Sequence, residues 1–241
     1  DVVFGCYITA DNSTTYMSFF SQMDTYGDGY AGIGVWRAAF KPLVDRIADT
    51  DIRLQWFCCD RSTGVTDASG NRITLIRDTQ SPVAVEYQAV KFIGTGRDNI
   101  KAGVFSGWEL GDYIYLRSEE AYMIKMEALA HKSSAEAVTE LNSFMKTRQP
   151  DYNYTFTNKA DLIEEIIYQK RVEFWGEGLE YIDNRRLNIP VDRTDETWGA
   201  ENNNHFSAGK FRYNQEDRPF LYQLPLSEIE NNSQLSPSDQ N

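Results

Sequence analysis

The sequence predicts a mainly α-helical fold with irregular loops and a few short β-strands. Residues 116–131 and 133–150 combine strong helix formers with apolar residues at helical spacing, and a third such stretch begins near Asn158. The first hundred residues are instead mixed and rich in turns, and the chain becomes polar again after Pro190. We therefore divide it into a strand-and-loop part (1–115), a helical core (116–190) and an irregular C-terminal part (191–241).

Each predicted helix has an apolar face. The predicted core residues are Ala121, Ile124 and Ala128, then Val138, Leu141 and Met145, then Leu162, Ile163, Ile166 and Ile167. Ser133 with Glu136 three residues later predicts a capping box at the start of the second helix. The first two helices span about the 34 residues of a tetratricopeptide unit. The consensus residues and a second copy are absent, so this spacing alone identifies no repeat.

The strand signals are short and scattered. Residues 2–9 and 52–59 are rich in β-branched and aromatic residues, which favour strands. Residues 72–77 alternate apolar and polar after a Gly-Asn turn and predict a hairpin. A further strand is predicted at 218–229. Residues 18–36, with four glycines and five aromatic residues, predict a loop.

The composition excludes several functional classes. The 24 Lys and Arg against 36 Asp and Glu give a net charge of -12, which repels a phosphate backbone and disfavours nucleic-acid binding. Three cysteines, two of them adjacent at Cys58 and Cys59, cannot form a disulfide framework. His131 and His205 lie far apart, and residues 24–30 do not match the spacing of a calcium loop, so neither a metal nor another cofactor is expected.

A dense charged segment, residues 169–190, follows the third helical pattern. Arg171 lies in line with Ile163 and Ile167 on a helical wheel, so we expect it to point inward and to need a carboxylate, Glu127 or Glu177, beside it. The predicted ion-pair clasp joining the helices consists of Glu127, Arg171, Glu173, Glu177, Asp183 and Arg186.

Two other interpretations concern chemistry. Glu173 and Glu177 are four residues apart, and two carboxylates at such a distance could serve a retaining glycoside hydrolase. A ligand-binding role without catalysis is indicated by the aromatic residues between 19 and 36, because flat rings on a loop suit stacking against sugar rings. Tyr26, Tyr30 and Trp36 are the candidate ligand-binding residues there.

Several segments together resemble the C-terminal half of SusD/RagB-type proteins. They are "YLRSEEAYMIKMEALAH", "AVTELNSFMKTR", "IIYQKRVEFWGEGLEYIDNRRL" and "YQLPLSEIENNSQLSPSDQN", with "DVVFG" and "DIRL" nearer the start. The matching residues are Arg117, Glu120, Glu127, Ala128, Asn142, Arg148, Arg171, Glu173, Glu177, Gly178, Asp183, Arg186, Pro225, Glu228, Ile229, Gln240 and Asn241. Gln169-Lys170, Met126 and Asn184 depart from the family pattern.

The resemblance implies tetratricopeptide-like helix pairs, with the chain forming the C-terminal portion of a longer protein. It also implies a non-enzymatic lipoprotein at the surface of the cell outer membrane, held by a lipid anchor on an N-terminal part. Such a protein binds an oligosaccharide, a polysaccharide or sometimes a peptide, and its partner is a SusC-like TonB-dependent outer-membrane transporter. A protein-interaction scaffold of the tetratricopeptide type is the remaining alternative. The matched motifs are scaffold residues, so the resemblance transfers no ligand contact.

Overall fold

The computed structural model describes residues 2–9, 11–12, 17–24, 29–32, 37–59, 61, 86–92, 94, 110–217 and 222–239. The chain divides into two units, Asp1–Glu173 and Phe174–Asn241. The boundaries expected after residues 115 and 190 stay predictions, whereas the mainly helical fold with short strands is confirmed in the described part.

The first unit contains short elements followed by three longer helices. In chain order these are β1 (Val2–Cys6), α1 (Phe19–Met23), α2 (Lys41–Asp45), a 3₁₀ helix (Ile52–Trp56), β2 (Phe57–Cys58), β3 (Gln88–Ala89), β4 (Tyr113–Arg117), α3 (Ser118–Lys132), α4 (Ser134–Met145) and α5 (Lys159–Glu173). Helix α3 packs against α4 and α5, and α4 also contacts α5. Ser133, with an extended backbone, is the one residue between α3 and α4.

Apolar side chains fill the space between these helices. Those that are at most 1% exposed are Met123, Met126, Ala130, Ala137, Leu141, Met145, Leu162, Ile166 and Val172. The predicted core face of α4 is confirmed at Leu141 and Met145. On α5 the buried positions Leu162, Ile166, Gln169 and Glu173 recur at helical spacing.

Two predictions for α3 and α4 are wrong in detail. Ala121 and Ala128 are exposed, and Ile124 is 53% exposed, because α3 buries the face that carries Met123 and Met126. The two methionines bring more apolar area into the core than the two alanines would. Ser133 does occupy the N-cap position of α4, but its side chain makes no capping hydrogen bond, so the capping box does not form.

The strands form small two-stranded sheets. β1 pairs antiparallel with β4 from Val2 opposite Arg117 to Cys6 opposite Tyr113, and β2 pairs antiparallel with β3. The strand expected at 2–9 is therefore confirmed for Val2–Cys6. The one expected at 52–59 is confined to Phe57–Cys58.

Residues 52–56 form a helix because Asp51 caps them. Its carboxylate accepts a hydrogen bond from the backbone N–H of Arg53 at 2.9 Å, which favours a helical start over a strand. Cys58 and Cys59, which follow, are buried. The hairpin expected at 72–77 lies outside the described residues.

The second unit begins with a turn. Gly176 and Gly178 have φ values of 79° and 86°, a conformation that glycine adopts without strain. The elements that follow are α6 (Leu179–Arg186), β5 (Val191–Asp192), α7 (Asp195–Trp198), a 3₁₀ turn (Ser207–Gly209), β6 (Arg212–Tyr213), α8 (Leu226–Asn231) and a 3₁₀ turn (Pro237–Asp239). β5 and β6 pair antiparallel.

The strand expected at 218–229 is wrong where the structure describes it. Residues 226–231 form α8, with Pro225 at its N-cap and Glu228 in its first turn. Proline restricts φ to values suited to a helix start, and a first-turn carboxylate interacts favourably with the helix dipole. Residues 218–221 lie outside the described part.

Candidate functional site

The aromatic segment between residues 19 and 36 is only partly described. Tyr26 and Trp36 lie outside the described residues. Tyr30 is 39% exposed and stays a candidate for ligand contact. Two hydrogen bonds hold its backbone to Ser21. The Tyr30 N–H donates to Ser21 Oγ at 3.2 Å, and the Ala31 N–H donates to the Ser21 carbonyl at 2.8 Å.

Phe19 and Phe20 attach this segment to the rest of the first unit. They belong to α1 and not to the predicted loop. The ring of Phe19 packs edge-on against Phe92 at 4.9 Å and Tyr113 at 6.1 Å between centroids. Phe20 lies so close to Gly111 that a Cβ there would be 2.4 Å from the ring. These two rings are structural, which leaves Tyr30 as a described candidate for ligand contact.

A buried ion cluster surrounds Glu173 at the end of α5. Arg117 and Arg148 approach its Oε1 with nitrogens at 3.1 and 3.0 Å, and Arg53 approaches Oε2 at 3.4 Å. Glu173 is 1% exposed. Burial by itself would raise the pKa of Glu173, but the hydrogen bond and charge of Arg148, with the charges of Arg53 and Arg117, lower it to about 2.

Arg53 extends this cluster into the core. It is 1% exposed, and its guanidinium binds Asp51 Oδ2 at 2.7 Å and also donates to the Gln169 side-chain oxygen. Two carboxylates and one amide oxygen therefore compensate a fully buried cation. Through charge pairs, the cluster connects the 3₁₀ helix, β4, the turn that follows α4, and α5.

The ion cluster bears directly on the glycoside hydrolase interpretation. A catalytic acid needs a raised pKa and access to the scissile bond. Glu173 has a strongly lowered pKa, is buried, and has both oxygens occupied by arginines. It is unsuited to general-acid catalysis.

The other members of the predicted clasp lie in both units. Glu127 is buried on α3 and Arg171 is half-buried on α5. In the second unit, Arg186 Nη2 pairs with Asp183 Oδ1 at 2.7 Å. The pairing of Arg171 with Glu127 or Glu177 stays a prediction.

A cleft of about 440 Å³ opens in the first unit beside the ion cluster. We name it the Tyr168 cleft after a tyrosine on its α5 side. Its lining residues are Arg46, Ile47, Ala48, Asp51, Gln149, Asp151, Tyr152, Asn153, Tyr154, Glu165, Tyr168 and Gln169. Its volume falls within the range of small-molecule sites, and aromatic, carboxylate, amide and guanidinium groups face it together.

Glu165 is the central carboxylate of this cleft. Tyr152 Oη donates to its Oε1 at 2.8 Å, and Gln169 Nε2 donates to the same atom at 2.7 Å. Arg46 Nη2 binds its Oε2 at 2.6 Å. The Arg46 guanidinium also lies 3.9 Å from the centre of the Tyr168 ring, a cation–π contact. These bonds hold the wall formed by α5.

Asp151 and Tyr154 belong to a second wall of the cleft. Thr50 Oγ1 and Gln149 Nε2 donate to Asp151 Oδ1 at 2.6 and 3.1 Å, and these hydrogen bonds lower the pKa of the carboxyl group. Asn142 of α4 binds the backbone of Tyr154 twice, accepting from its N–H at 2.7 Å and donating to its carbonyl at 3.0 Å. These two bonds hold the backbone of this wall against α4.

Sequence reasoning missed the Tyr168 cleft entirely. One local signal was present, since "DYNYT" places two tyrosines and two amide or carboxylate side chains directly after Pro150. It also missed Arg53 as the third arginine at Glu173, although "DIRL" was part of the resemblance.

Neither a metal cluster nor a membrane-spanning helix is found in the described part of the chain. No group of three or more His, Cys, Asp or Glu side chains there could hold a metal ion. No described helix combines the length and apolar character that a membrane span requires.

Two solved structures from Bacteroides vulgatus ATCC 8482 share the fold. One is a SusD-like carbohydrate binding protein with 20% identity and a TM-score of 0.66, aligned over 97% of this chain and 48% of that one. The other, described as a candidate sugar binding protein, has 20% identity and a TM-score of 0.63, over 100% of this chain and 45% of that one. The chain thus spans about half the length of these relatives, and likeness at this identity shows the fold alone.

The family assignment has a separate basis. No curated protein matches the chain. The model of the SusD family matches residues 87–241, which is more than half of the sequence. That range contains the helices α3 to α5, Arg117, Arg148 and Glu173, so the resemblance drawn from these residues is confirmed. The chain belongs to the SusD family.

Proposed function

We propose that this chain is part of a cell-surface protein that binds a glycan or another nutrient without catalysis. In this proposal a lipid anchor holds the protein at the outer membrane, and a SusC-like TonB-dependent transporter receives the bound ligand. The observation that carries the proposal is the match of the SusD family to residues 87–241. The solved relative that is a SusD-like carbohydrate binding protein supports the choice of a glycan.

The chemistry of the described residues agrees with a binding role. Tyr30 offers a partly exposed ring on a segment that is braced by Ser21, Phe19 and Phe20. We include Tyr26 and Trp36 as further stacking residues on the same segment. Catalysis is not part of the proposal, because Glu173 is held as a buried anion by three arginines.

Isothermal titration calorimetry against neutral and charged oligosaccharides tests the binding function. We expect at least one oligosaccharide to bind, with aromatic stacking worth about 1 kcal/mol per ring. Tyr30→Ala should therefore weaken binding about five- to tenfold. Tyr122→Ala is the matched control, because Tyr122 is a 52% exposed tyrosine that belongs to α3 and not to this segment. If no oligosaccharide binds, a peptide ligand or an interaction scaffold replaces the glycan proposal.

Co-purification tests the transporter partner. The tagged protein, expressed in its native cell together with its chromosomal neighbours, should retain a TonB-dependent transporter after detergent solubilisation. Retention of the transporter with no affinity for any sugar would favour the scaffold alternative. Loss of the transporter while glycan binding persists would contradict the proposed partner.

A further inference from the structure

The Tyr168 cleft is assembled from three separate stretches of the first unit. Arg46–Asp51, Gln149–Tyr154 and helix α5 each contribute lining residues. Hydrogen bonds join each pair of stretches: Thr50 to Asp151, Tyr152 to Glu165, and Arg46 to Glu165. A concave site closed by side-chain bonds on all three sides needs little reorganisation on binding, which favours affinity.

The charges in the cleft are not evenly compensated. Asp51 is paired with buried Arg53 at 2.7 Å, and Glu165 is paired with Arg46 at 2.6 Å. Asp151 differs, because its hydrogen-bond donors Thr50 and Gln149 are both uncharged. Its carboxylate lies at the exposed edge of the cleft, and it gives the site a residual negative charge.

The aromatic lining is positioned independently of that charge. Tyr152 and Tyr168 are 9% and 8% exposed, so they form the inner surface of the cleft. Tyr154 is half-buried, and the two bonds from Asn142 fix its backbone. Rings next to a carboxylate and to amide side chains suit a ligand with an apolar face and several hydroxyl groups.

We propose that the Tyr168 cleft binds a saccharide unit that is neutral or carries an amine, and that it rejects units bearing a carboxylate or sulfate. The saccharide nature of the ligand rests on the proposed function, whereas the selection by charge rests on the cleft alone. Asp151 accepts hydrogen bonds from ring hydroxyls or from an ammonium group, and Tyr154 packs against the sugar. An acidic group beside Asp151 is repelled by its like charge.

Tetramers with one backbone and different charges test this selection. β-1,4-linked tetramers of glucosamine, glucose and glucuronate are titrated into the protein at low salt. We expect the affinity to fall in that order, with about tenfold or more between the first and the last, because Asp151 attracts an ammonium group and repels a carboxylate. The difference should shrink at high salt. Equal affinities, or no binding of glucosamine and glucose tetramers at millimolar concentration, would overturn the proposal.

Asp151→Asn assigns the selection to this cleft. The substitution removes the charge of the side chain and keeps its size and the acceptor for Thr50. The ratio between the affinities for the glucosamine and glucuronate tetramers should therefore become severalfold smaller. Glu136→Gln removes one charge from an exposed site on α4 and should leave the order unchanged. An equal reduction of this ratio in both variants would overturn the assignment to Asp151.

Variants in the segment 19–36 and in the Tyr168 cleft distinguish a failure of this inference from a failure of the proposed function. Tyr154→Ala should weaken the glucosamine tetramer about tenfold if its ring packs against the sugar. If sugars bind and only Tyr30→Ala weakens them, the proposed function stands and the cleft is excluded. If Tyr154→Ala and Asp151→Asn alter binding while Tyr30→Ala does not, the cleft is the glycan site.

Discussion

Two carboxylates of helix α5, Glu165 and Glu173, lie about two turns apart, and their surroundings differ. Glu173 is 1% exposed and is approached by Arg53, Arg117 and Arg148. The Glu165 side chain is 13% exposed and receives one arginine, a tyrosine hydroxyl and an amide. One carboxylate belongs to the core and the other to a cleft open to solvent.

The difference shows how burial decides the role of a charged residue. A buried carboxylate loses its hydration, and only close cations and hydrogen-bond donors compensate for it. The arginines that do so leave Glu173 no free oxygen for a ligand. Glu165 and Asp151 are partly exposed at the cleft, where ligand hydroxyls can donate to their carboxylates. Variants of each carboxylate and of its partners test this contrast.

The largest effect is expected from removing the charge of Glu173. Glu173→Gln leaves three arginines near a neutral amide, and an unpaired buried charge typically costs about 3–5 kcal/mol. The free energy of unfolding, measured by urea denaturation, should fall by this amount. Glu136→Gln, the exposed control, should stay within about 0.5 kcal/mol of the parent protein. A Glu173→Gln protein that loses less than about 1 kcal/mol would contradict the structural role of the cluster.

The same carboxylate should govern the acid sensitivity of the first unit. Because the pKa of Glu173 is lowered from 4.5 to about 2 in the folded protein, the stabilisation it provides is complete above pH 4.5 and is lost as the pH falls towards 2. Linkage gives a loss of roughly 3 kcal/mol across that interval. Urea denaturation at a series of pH values measures it, and Glu173→Gln should lose correspondingly less stability over the interval. Identical pH profiles for both proteins would refute the pKa assignment.

The helices could be predicted because their signals are local. Asn158 marks the start of α5 in the sequence, and its side chain caps that helix by accepting from Asp161 N–H at 3.0 Å. The sequence alone does not show which face of α3 is buried. α3 has apolar residues on two sides, and only contact with α4 and α5 selects Met123 and Met126 over Ala121 and Ile124.

The cleft could not be predicted because its walls are distant in sequence. Arg46 binds Glu165 although more than a hundred residues separate them, and Thr50 binds Asp151 over a similar separation.

The ion cluster at Glu173 is also hard to predict. A helical wheel of α5 alone favours Arg171 as the charged residue that points into the core. Arg53 and Arg148, from other elements, supply the cations that allow Glu173 to be buried there.

An intermediate effect is expected where the cleft joins the core, at Asn142. Asn142→Ala removes both hydrogen bonds to the Tyr154 backbone, each worth about 1 kcal/mol, so unfolding should become easier by about 2 kcal/mol. Asn231→Ala is the matched control, because the Asn231 side chain donates an exposed hydrogen bond to the Ser227 carbonyl, and both residues belong to α8. Amide hydrogen exchange at Tyr154 should accelerate in the first variant and not in the second. Unchanged exchange would mean that Asn142 does not hold this wall.

The smallest effect is expected at Glu165 itself, through Tyr152. Tyr152→Phe keeps the ring and removes the hydroxyl that donates to Glu165 Oε1 at 2.8 Å. Gln169 and Arg46 still bind that carboxylate, so the free energy of unfolding should fall by only about 1 kcal/mol. Tyr122→Phe removes the hydroxyl of a 52% exposed tyrosine and serves as the control. Its free energy of unfolding should change little. A cost near that of Glu173→Gln would show that Glu165 is a structural carboxylate as well. A fall in unfolding free energy of about 1 kcal/mol would mean that Glu165 can lose one donor without becoming an unpaired buried charge. This is the behaviour expected of a carboxylate that also faces solvent and can accept a hydrogen bond from a ligand.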